Sequence, residues 1–462
     1  MCTPIIFRTG LLILLIALLM TPPHARGQEP TLGELRTDFA MRFLEPAPHM
    51  ALAKYYLDRG NRLLAFDILE AARRTRFEEA IFNRAFQLSF RKFDYSDAAE
   101  TILLKDLSTR PRSEDLLFKL ADLYIAREDW PKAKQYLLAG IKLRPDEFKF
   151  TTGLAGVLRI ERNTEGANRL INDYVRNYPA SEEAYAIRAE KLMEAEPEKA
   201  EALLLEARER FPKAGDIMFD VGRVLQGQGK AAEAENSFVK AAELSPDSPD
   251  IQAWTGRFLY KVRDKRAQAL GYYLNAYFLN PHAYETEFVE SRINRIATEL
   301  AEAEIENKLK TGTRLEEFLE DSNPAVVGLA LERLSENWKA PYGEPVLKCM
   351  EHDDGGIRWQ ATEALKKNID RRFDENLKAL LQDRDLRKRG LSAYLAVHLW
   401  QKDSFPILKN MLTEKAQLVR FDAVSALMLE GGDEGRKIVF EYAAREPNPI
   451  LKQLIERSNE KR

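Results

Sequence analysis

Six prolines, Pro111, Pro145, Pro179, Pro212, Pro246 and Pro281, divide the middle of the chain at intervals of 34, 34, 33, 34 and 35 residues. Proline has no amide hydrogen and its ring clashes with the preceding turn, so it does not sit inside a helix. A proline at this period marks a helix end that recurs, and a chain punctuated this way is a stack of one repeated unit. Between the prolines one apolar pattern returns. In residues 114–147, Leu117, Leu120, Ala121 and Tyr124 fall at i, i+3, i+4 and i+7, a single helical stripe. After the polar turn Arg127-Glu128-Asp129, a second helix is marked by Ala133, Leu137 and Gly140, with small residues where a neighbour comes close.

The same design recurs along the chain. Residues 215–248 carry Met218, Val221, Gly222, Leu225, Ala234, Phe238 and Ala241, and residues 148–180 carry Leu154, Ala155, Leu158, Ala167 and Ile171. A first unit at about 46–79 has Leu52, Ala53, Tyr56, Ala65, Leu69 and Ala72 but no closing proline. About seven units in phase, over residues 46–283, resemble the tetratricopeptide repeat. The tryptophan often found early in that family's first helix is replaced here by Leu117, Met218 or Asn83, and only Trp254 comes near that place. The resemblance implies an inner groove lined by the first helix of each unit, where Tyr55, Arg84, Phe118, Lys119, Asp122, Arg159, Phe219 and Arg223 would meet a protein partner. Aromatic and arginine side chains are the usual anchors of such contacts. The lysine and asparagine clamp of the chaperone-binding members is not reproduced, since Met50, Lys54 and Ala85 stand in those places.

One helix pair cannot bury its own stripe, so each unit must be covered by its neighbours and the ends must be capped. Residues 28–45 are expected to cap the array, and 284–310, with Phe288, Ile293, Ile296, Leu300 and Ile305, to form a long bridging helix. From 311 the period changes. Apolar triplets centred on Val326, Ile357, Leu386, Val419 and Ile450 recur at 31, 29, 33 and 31 residues. A small residue follows four places later at Ala330, Ala361, Gly390 and Ala423. With Asp354 and Arg358, Asp385 and Arg387, and Arg420, the segment 311–462 resembles the HEAT repeat. The expected fold is all-α, two consecutive α-solenoids. Such charges form ladders between repeats more often than ligand sites. A basic cluster of Arg384, Arg387, Lys388 and Arg389 could instead form a face for an anion, although Asp383 and Asp385 interrupt it.

The first residues read as an address. Arg8 precedes the apolar run 11–20, Pro22 and Pro23 break it, and Ala25-Arg26-Gly27 offers small residues for cleavage, so 1–27 is expected to be a signal peptide. Ten apolar residues fall short of the ~20 that span a bilayer, and the alternative is an uncleaved anchor over 4–20. Export then places the protein in the periplasm or cell envelope, with membrane contact only through partners or that anchor. Cys349 would be the one cysteine left, read as a buried, inert thiol. A net charge of −3 over 462 residues gives no broad attraction to nucleic acid.

The chain holds no Cys-x-x-Cys, His-Glu-x-x-His or Gly-x-Ser-x-Gly, and Gly227-Gln228-Gly229-Lys230 lacks the spacing of a phosphate loop. His352-Asp353-Asp354 falls where a helix-capping turn belongs. Neither catalysis, a metal nor a cofactor is implied. The expectation is a non-enzymatic scaffold for other proteins. A self-assembling envelope component and the non-catalytic subunit of an enzyme complex stay open as alternatives.

Overall fold

The computed structural model describes residues 30–74, 97–279, 286–368 and 373–460, and every regular element among them is a helix. The chain forms an all-α solenoid in two compact units, one joining Met1–Ser89 to Ser291–Arg462 and the other running over Phe90–Glu290. The signal and anchor readings, at residues 1–27 and 4–20, lie outside the described residues.

The chain opens with helices α1 (Leu32–Met41), α2 (Pro46–Asp58) and α3 (Arg62–Arg74). Thr31 starts α1 with a capping box: its hydroxyl accepts from the Glu34 amide, and the Glu34 carboxylate accepts from the Thr31 amide.

The second unit shows why the prolines recur. Helix α4 (Asp97–Thr109) precedes the pairs α5/α6 (Glu114–Ala126, Trp130–Leu143), α7/α8 (Phe148–Ile160, Thr164–Asn177) and α9/α10 (Glu182–Leu192, Pro197–Arg210). The pairs α11/α12 (Gly215–Gly227, Ala231–Leu244) and α13/α14 (Pro249–Lys261, Arg266–Leu279) follow. Pro111, Pro145, Pro179, Pro212 and Pro246 each stand two residues beyond the end of a helix. Pro281 lies outside the described residues. Ser113, Ser181 and Ser248 then restart the chain, their hydroxyls accepting from the amides of Leu116, Ala184 and Ile251 at 3.4, 3.2 and 3.4 Å. Within four of the five pairs the turn places one residue in the left-handed region: Glu128, Arg162, Gly229 and Asp264. Only the third uses the glycine for which that conformation costs nothing.

Packing follows the stripe. Leu120, Ala121, Ala133, Leu137 and Phe150 are fully or almost fully buried in one cluster, and Ala200, Leu204, Ile217, Ala234 and Phe238 in the next. At Gly140 α6 leaves room for a side chain of α7, because a Cβ there would run into the Phe150 ring. Gly156, on α7, has nothing within 4 Å of such a Cβ. Gly140→Ala should destabilise the chain, overpacking costs of ~1–3 kcal/mol exceeding the ~1 kcal/mol gained in helix propensity. Gly156→Ala should gain most of that propensity. Opposite shifts in the midpoint of urea unfolding check the pair; two shifts of the same sign would mean that the α6–α7 contact is looser than described.

Helix α15 (Thr286–Lys310) buries Ile293, Ile296, Ala301 and Ile305. After a 3₁₀ segment at Leu315–Glu320 come α16 (Pro324–Glu336), α17 (Gly343–Lys348), α18 (Gly355–Asn368), α19 (Asp374–Leu381), α20 (Leu386–Trp400), α21 (Phe405–Met411), α22 (Gln417–Glu430), α23 (Gly432–Ala443) and α24 (Pro449–Glu460). Helices α16, α18, α20 and α22 pack side by side in a row. The small residues of the second period lie in that row: Ala330, Ala361 and Ala423 are fully buried, and Gly390 is buried against Asp422. Three of the four start on an Asn or Asp cap, at Asn323, Asp354 and Asp385, and α24 does so at Asn448.

What the opening helices pack against differs from the sequence expectation. They do form the expected helix pair, with Leu52, Ala53, Ala65, Leu69 and Ala72 buried. But α1 packs on α20 and α22, and α3 on α16 and α18, within the unit that holds the C-terminal helices. Arg36 grips Asp353 through Nε and Nη2, both at 2.7 Å. The Leu44 amide donates to Gln417 Oε1 at 2.9 Å, and the Phe43 and Phe421 rings lie 5.3 Å apart. Helix α1 therefore lies on α20 and α22 of the C-terminal row as well as on α2, a closure that was not expected. A repeat period reports contacts between neighbours in sequence and is silent on closures of this range.

Candidate partner-binding face

The first helices α5, α7, α9, α11 and α13 carry the residues expected to meet a partner. Phe118 is half-buried, its ring 5.7 Å from that of Phe150 in a T-shaped contact. Lys119 pairs with Asp115 at 2.5 Å, and Asp122 lies one turn further along α5. Arg159 is exposed near the end of α7. Phe219 stands between Phe238 and Trp254, with ring centroids at 5.6 and 5.8 Å. Arg223 pairs with Asp220 at 3.3 Å. Two expected residues fall elsewhere. Tyr55 belongs to α2, in the other compact unit, with the Arg59 guanidinium 3.6 Å over its ring. Arg84 lies outside the described residues.

The sequence reading missed the carboxylates between these residues. Glu182 opens α9, and Asp216 and Asp220 lie one turn apart on α11, the first helix of the next pair. Burial, then the Glu183 and Asp216 charges, push the Glu182 carboxyl up to about 7. Burial pushes Asp220 up to about 6 against the pull of Arg223. Asp216 is raised in the same direction by reduced hydration, with the Glu183 charge adding to it, although its side chain keeps exposed surface. Among the described residues Arg223 is the one cation paired with this group. The Asp216-x-x-x-Asp220 spacing in a first helix was the available signal, because it puts both carboxylates on one side.

The basic cluster at 384–389 is not left open. Arg387 is buried, bonded to Asp353 and at 2.8 Å to Asp385. Lys388 reaches Glu351 at 2.6 Å and Asp383 at 3.1 Å, and Arg389 reaches Glu414 at 3.3 Å. Only Arg384 of the four stands exposed. These cations serve the fold: Arg387, with Arg420 on Glu446 at 3.0 Å, forms the rungs of an internal ladder. In His352-Asp353-Asp354, Asp354 caps α18 through the Ile357 amide at 2.8 Å and Asp353 holds the ladder. Cys349 is buried, and burial pushes its thiol up to about 12. Among the described residues no helix is long and apolar enough to cross a membrane.

Residues 118–182 and 194–249, which include α7, α11 and most of α5, match the tetratricopeptide repeat family. These stretches are tetratricopeptide repeats. Arrays of this repeat generally bind other proteins or peptides. No curated protein matches the sequence. Among solved structures the chain is similar to YrrB, described as a tetratricopeptide repeat protein with an unusual peptide-binding site. Identity is 17%, over 41% of this chain and 97% of that one, with a TM-score of 0.22. It is also similar to pilF of Pseudomonas aeruginosa, at 19% identity over 51% of this chain and 97% of that one, with a TM-score of 0.31. Cut9-Hcn1, a hetero-tetramer of the APC/C, gives 13% identity over 66% of this chain and 55% of that one, with a TM-score of 0.32.

Proposed function

We propose that the protein is a non-enzymatic scaffold that holds a partner protein on the first-helix face of its tetratricopeptide repeats. The segment it takes presents basic side chains to Glu182, Asp216 and Asp220 and an apolar group to Phe219 and Trp254. The observation that carries this reading is the set of crowded carboxyls on two neighbouring first helices, with one arginine among them. Crowding them costs the free protein, and a cationic segment relieves that cost. Arg159 and Phe118 extend the same face toward α5.

The titration gives the sign. Glu182 is raised from 4.5 to about 7, so its penalty to the folded state is absent below pH 4.5 and complete above pH 7. A basic partner binds the ionised form, so affinity should rise from pH 6 to pH 8, with a proton released on binding near pH 7. Glu182→Gln should flatten that dependence and make the free chain more stable at pH 8 but not at pH 4. The site itself is tested by in-cell crosslinking from a photoreactive residue in place of Arg159. With Glu182→Lys and Asp216→Lys together, the crosslinked product should vanish while thermal unfolding changes little. A product that survives this charge reversal places the partner elsewhere.

The setting we assign is the cell envelope, supported by the short apolar run and the Ala25-Arg26-Gly27 site. The native protein should then begin at Gln28 on N-terminal sequencing, whereas a membrane-bound product that keeps Met1 means the run is an anchor. The C-terminal helix pairs, HEAT-like in period, complete the scaffold in this reading.

A further inference from the structure

A cavity of about 600 Å³ lies within the unit that joins the opening helices to the C-terminal ones, lined from α1, α2, α3, α15, α16, α18, α20 and α22. Its apolar wall includes Phe39, Phe43, Leu391, Tyr394, Leu418 and Phe421. That size suits a small molecule, and the wall sets aromatic side chains beside buried charged ones, as a ligand with an apolar body and charged groups would need.

Two charged side chains in the lining, Asp422 and Arg358, are buried with no ion-pair partner among the described residues, although the Asp354 and Asp353 charges act on Arg358 from farther away. Asp422 is 5% exposed, and its Oδ2 has no hydrogen-bond partner among the described residues. It sits where Gly390 leaves room, since a Cβ on that residue would meet the carboxylate. Arg358 is also 5% exposed. Its Nη1 donates to the carbonyls of His352 and Asp353 at 2.8 and 3.0 Å, and its guanidinium lies 5.6 Å from the Phe39 ring. Among the described residues no carboxylate comes within 4.0 Å of it. The other acids at the cavity are engaged or exposed. Asp353 takes Arg36 and Arg387, Asp354 caps α18, Asp67 and Glu70 have partners of their own, and Glu332 faces solvent.

Opposite charges that close on each other can offset the cost of burial, and charges buried apart cannot. Arg358 and Asp422 feel each other's field, yet they do not pair. Burial pushes the Asp422 carboxyl up to about 7 and the Arg358 guanidinium down to about 10, so each is held in an unfavourable state. What completes this arrangement is a ligand with both charges close together and an apolar body for the aromatic wall.

We propose that this cavity binds a free α-amino acid with a large apolar side chain, its carboxylate on Arg358, its ammonium on Asp422 and its side chain against Phe39, Phe43 and Phe421. The ligand bridges two charges that the fold leaves apart. The site lies in the other compact unit from the first-helix face and stands or falls separately from the scaffold reading.

The test uses the full chain and three probes that share a phenyl ring: L-phenylalanine, phenethylamine and 3-phenylpropanoate. Calorimetry should show L-phenylalanine binding, with each singly charged analogue weaker by about tenfold or more, because it leaves one buried charge unpaired. L-Phenylalanine should raise the unfolding temperature, and the analogues should do so less. Asp422→Asn should weaken L-phenylalanine by a similar factor and leave 3-phenylpropanoate unchanged. Neither L-phenylalanine nor L-leucine binding at up to about 10 mM overturns the proposal, and so do analogues that bind as well as the amino acid. An unchanged Kd in folded Asp422→Asn also overturns it. Should that variant fail to fold, the analogue series on the unaltered chain decides alone.

Discussion

Asp353→Ala should destabilise the unit that contains it by roughly 3–5 kcal/mol, the cost of removing one member of a buried ionic group and leaving the rest. The Asp353 side chain is 2% exposed and that of Arg387 4%. Four residues distant in sequence meet there: Arg36 from α1 and Tyr56 from α2 bond to the same carboxylate as Arg387 from α20. Burial alone would raise that carboxyl, but the Arg36 hydrogen bonds, the Arg387 charge and the Tyr56 hydroxyl hold it below the usual range. Its stabilisation is therefore complete above pH 3.8 and lost only as pH falls through the depressed value. In Asp353→Ala the Arg387 guanidinium keeps Asp385 but faces Arg358 with less compensation. Asp353→Asn should cost less, because its amide oxygen still accepts from Tyr56 or Arg36. Urea unfolding followed by tryptophan fluorescence, with Trp338, Trp359 and Trp400 reporting from this unit, measures both. A loss under about 1 kcal/mol for the alanine variant would mean that the apolar contacts alone hold α1 and α2 in place.

Phe238→Ala is expected to have an effect of the same size in the other unit, ~3–5 kcal/mol. Phe238 is fully buried on α12. Its ring centroid lies 4.9 Å from that of Phe258 and 5.6 Å from that of Phe219, and a Cβ on Gly222 would come within 2.7 Å of its ring. Backbones drawn this close around one ring cannot easily collapse into the space it leaves. In a repeat array the loss spreads to adjoining pairs and then stops. Hydrogen exchange should therefore speed up over residues 182–279 and stay unchanged over 373–460. Faster exchange throughout both segments would show that the two units unfold as one.

What could be read in the sequence was what depends on neighbours. Pro145 and Pro179 announce helix ends, and Ala133 and Ala234 announce the contacts in which both are fully buried, because each acts on residues within about one repeat. Asp353 announces nothing, since its partner Arg36 is 317 residues away and no period links them. The cluster around Arg387 misleads for a related reason. Charges adjacent in sequence suggest a shared face, but helix geometry turns Arg387 inward and leaves Arg384 outside. Glu182, Asp216 and Asp220 were half legible: the spacing within α11 is visible, whereas the approach of α9 that crowds them is tertiary. Asp422, a lone acid in the apolar run Leu418–Leu427, is a signal of the same kind, a charge on a stripe that must be buried.

Arg36 and Asp353 also impose a timetable on the newborn chain. At ~5–20 residues per second, helices α1 to α3 are made roughly 15–60 seconds before the residues that cover them exist. Phe39, Leu44 and Leu52, buried in the finished protein, lack part of their cover through that interval. A chain stopped short of α18 never acquires the partner of Arg36. Its apolar opening helices then stay partly uncovered and mark it as incomplete to whatever surveys unfinished proteins.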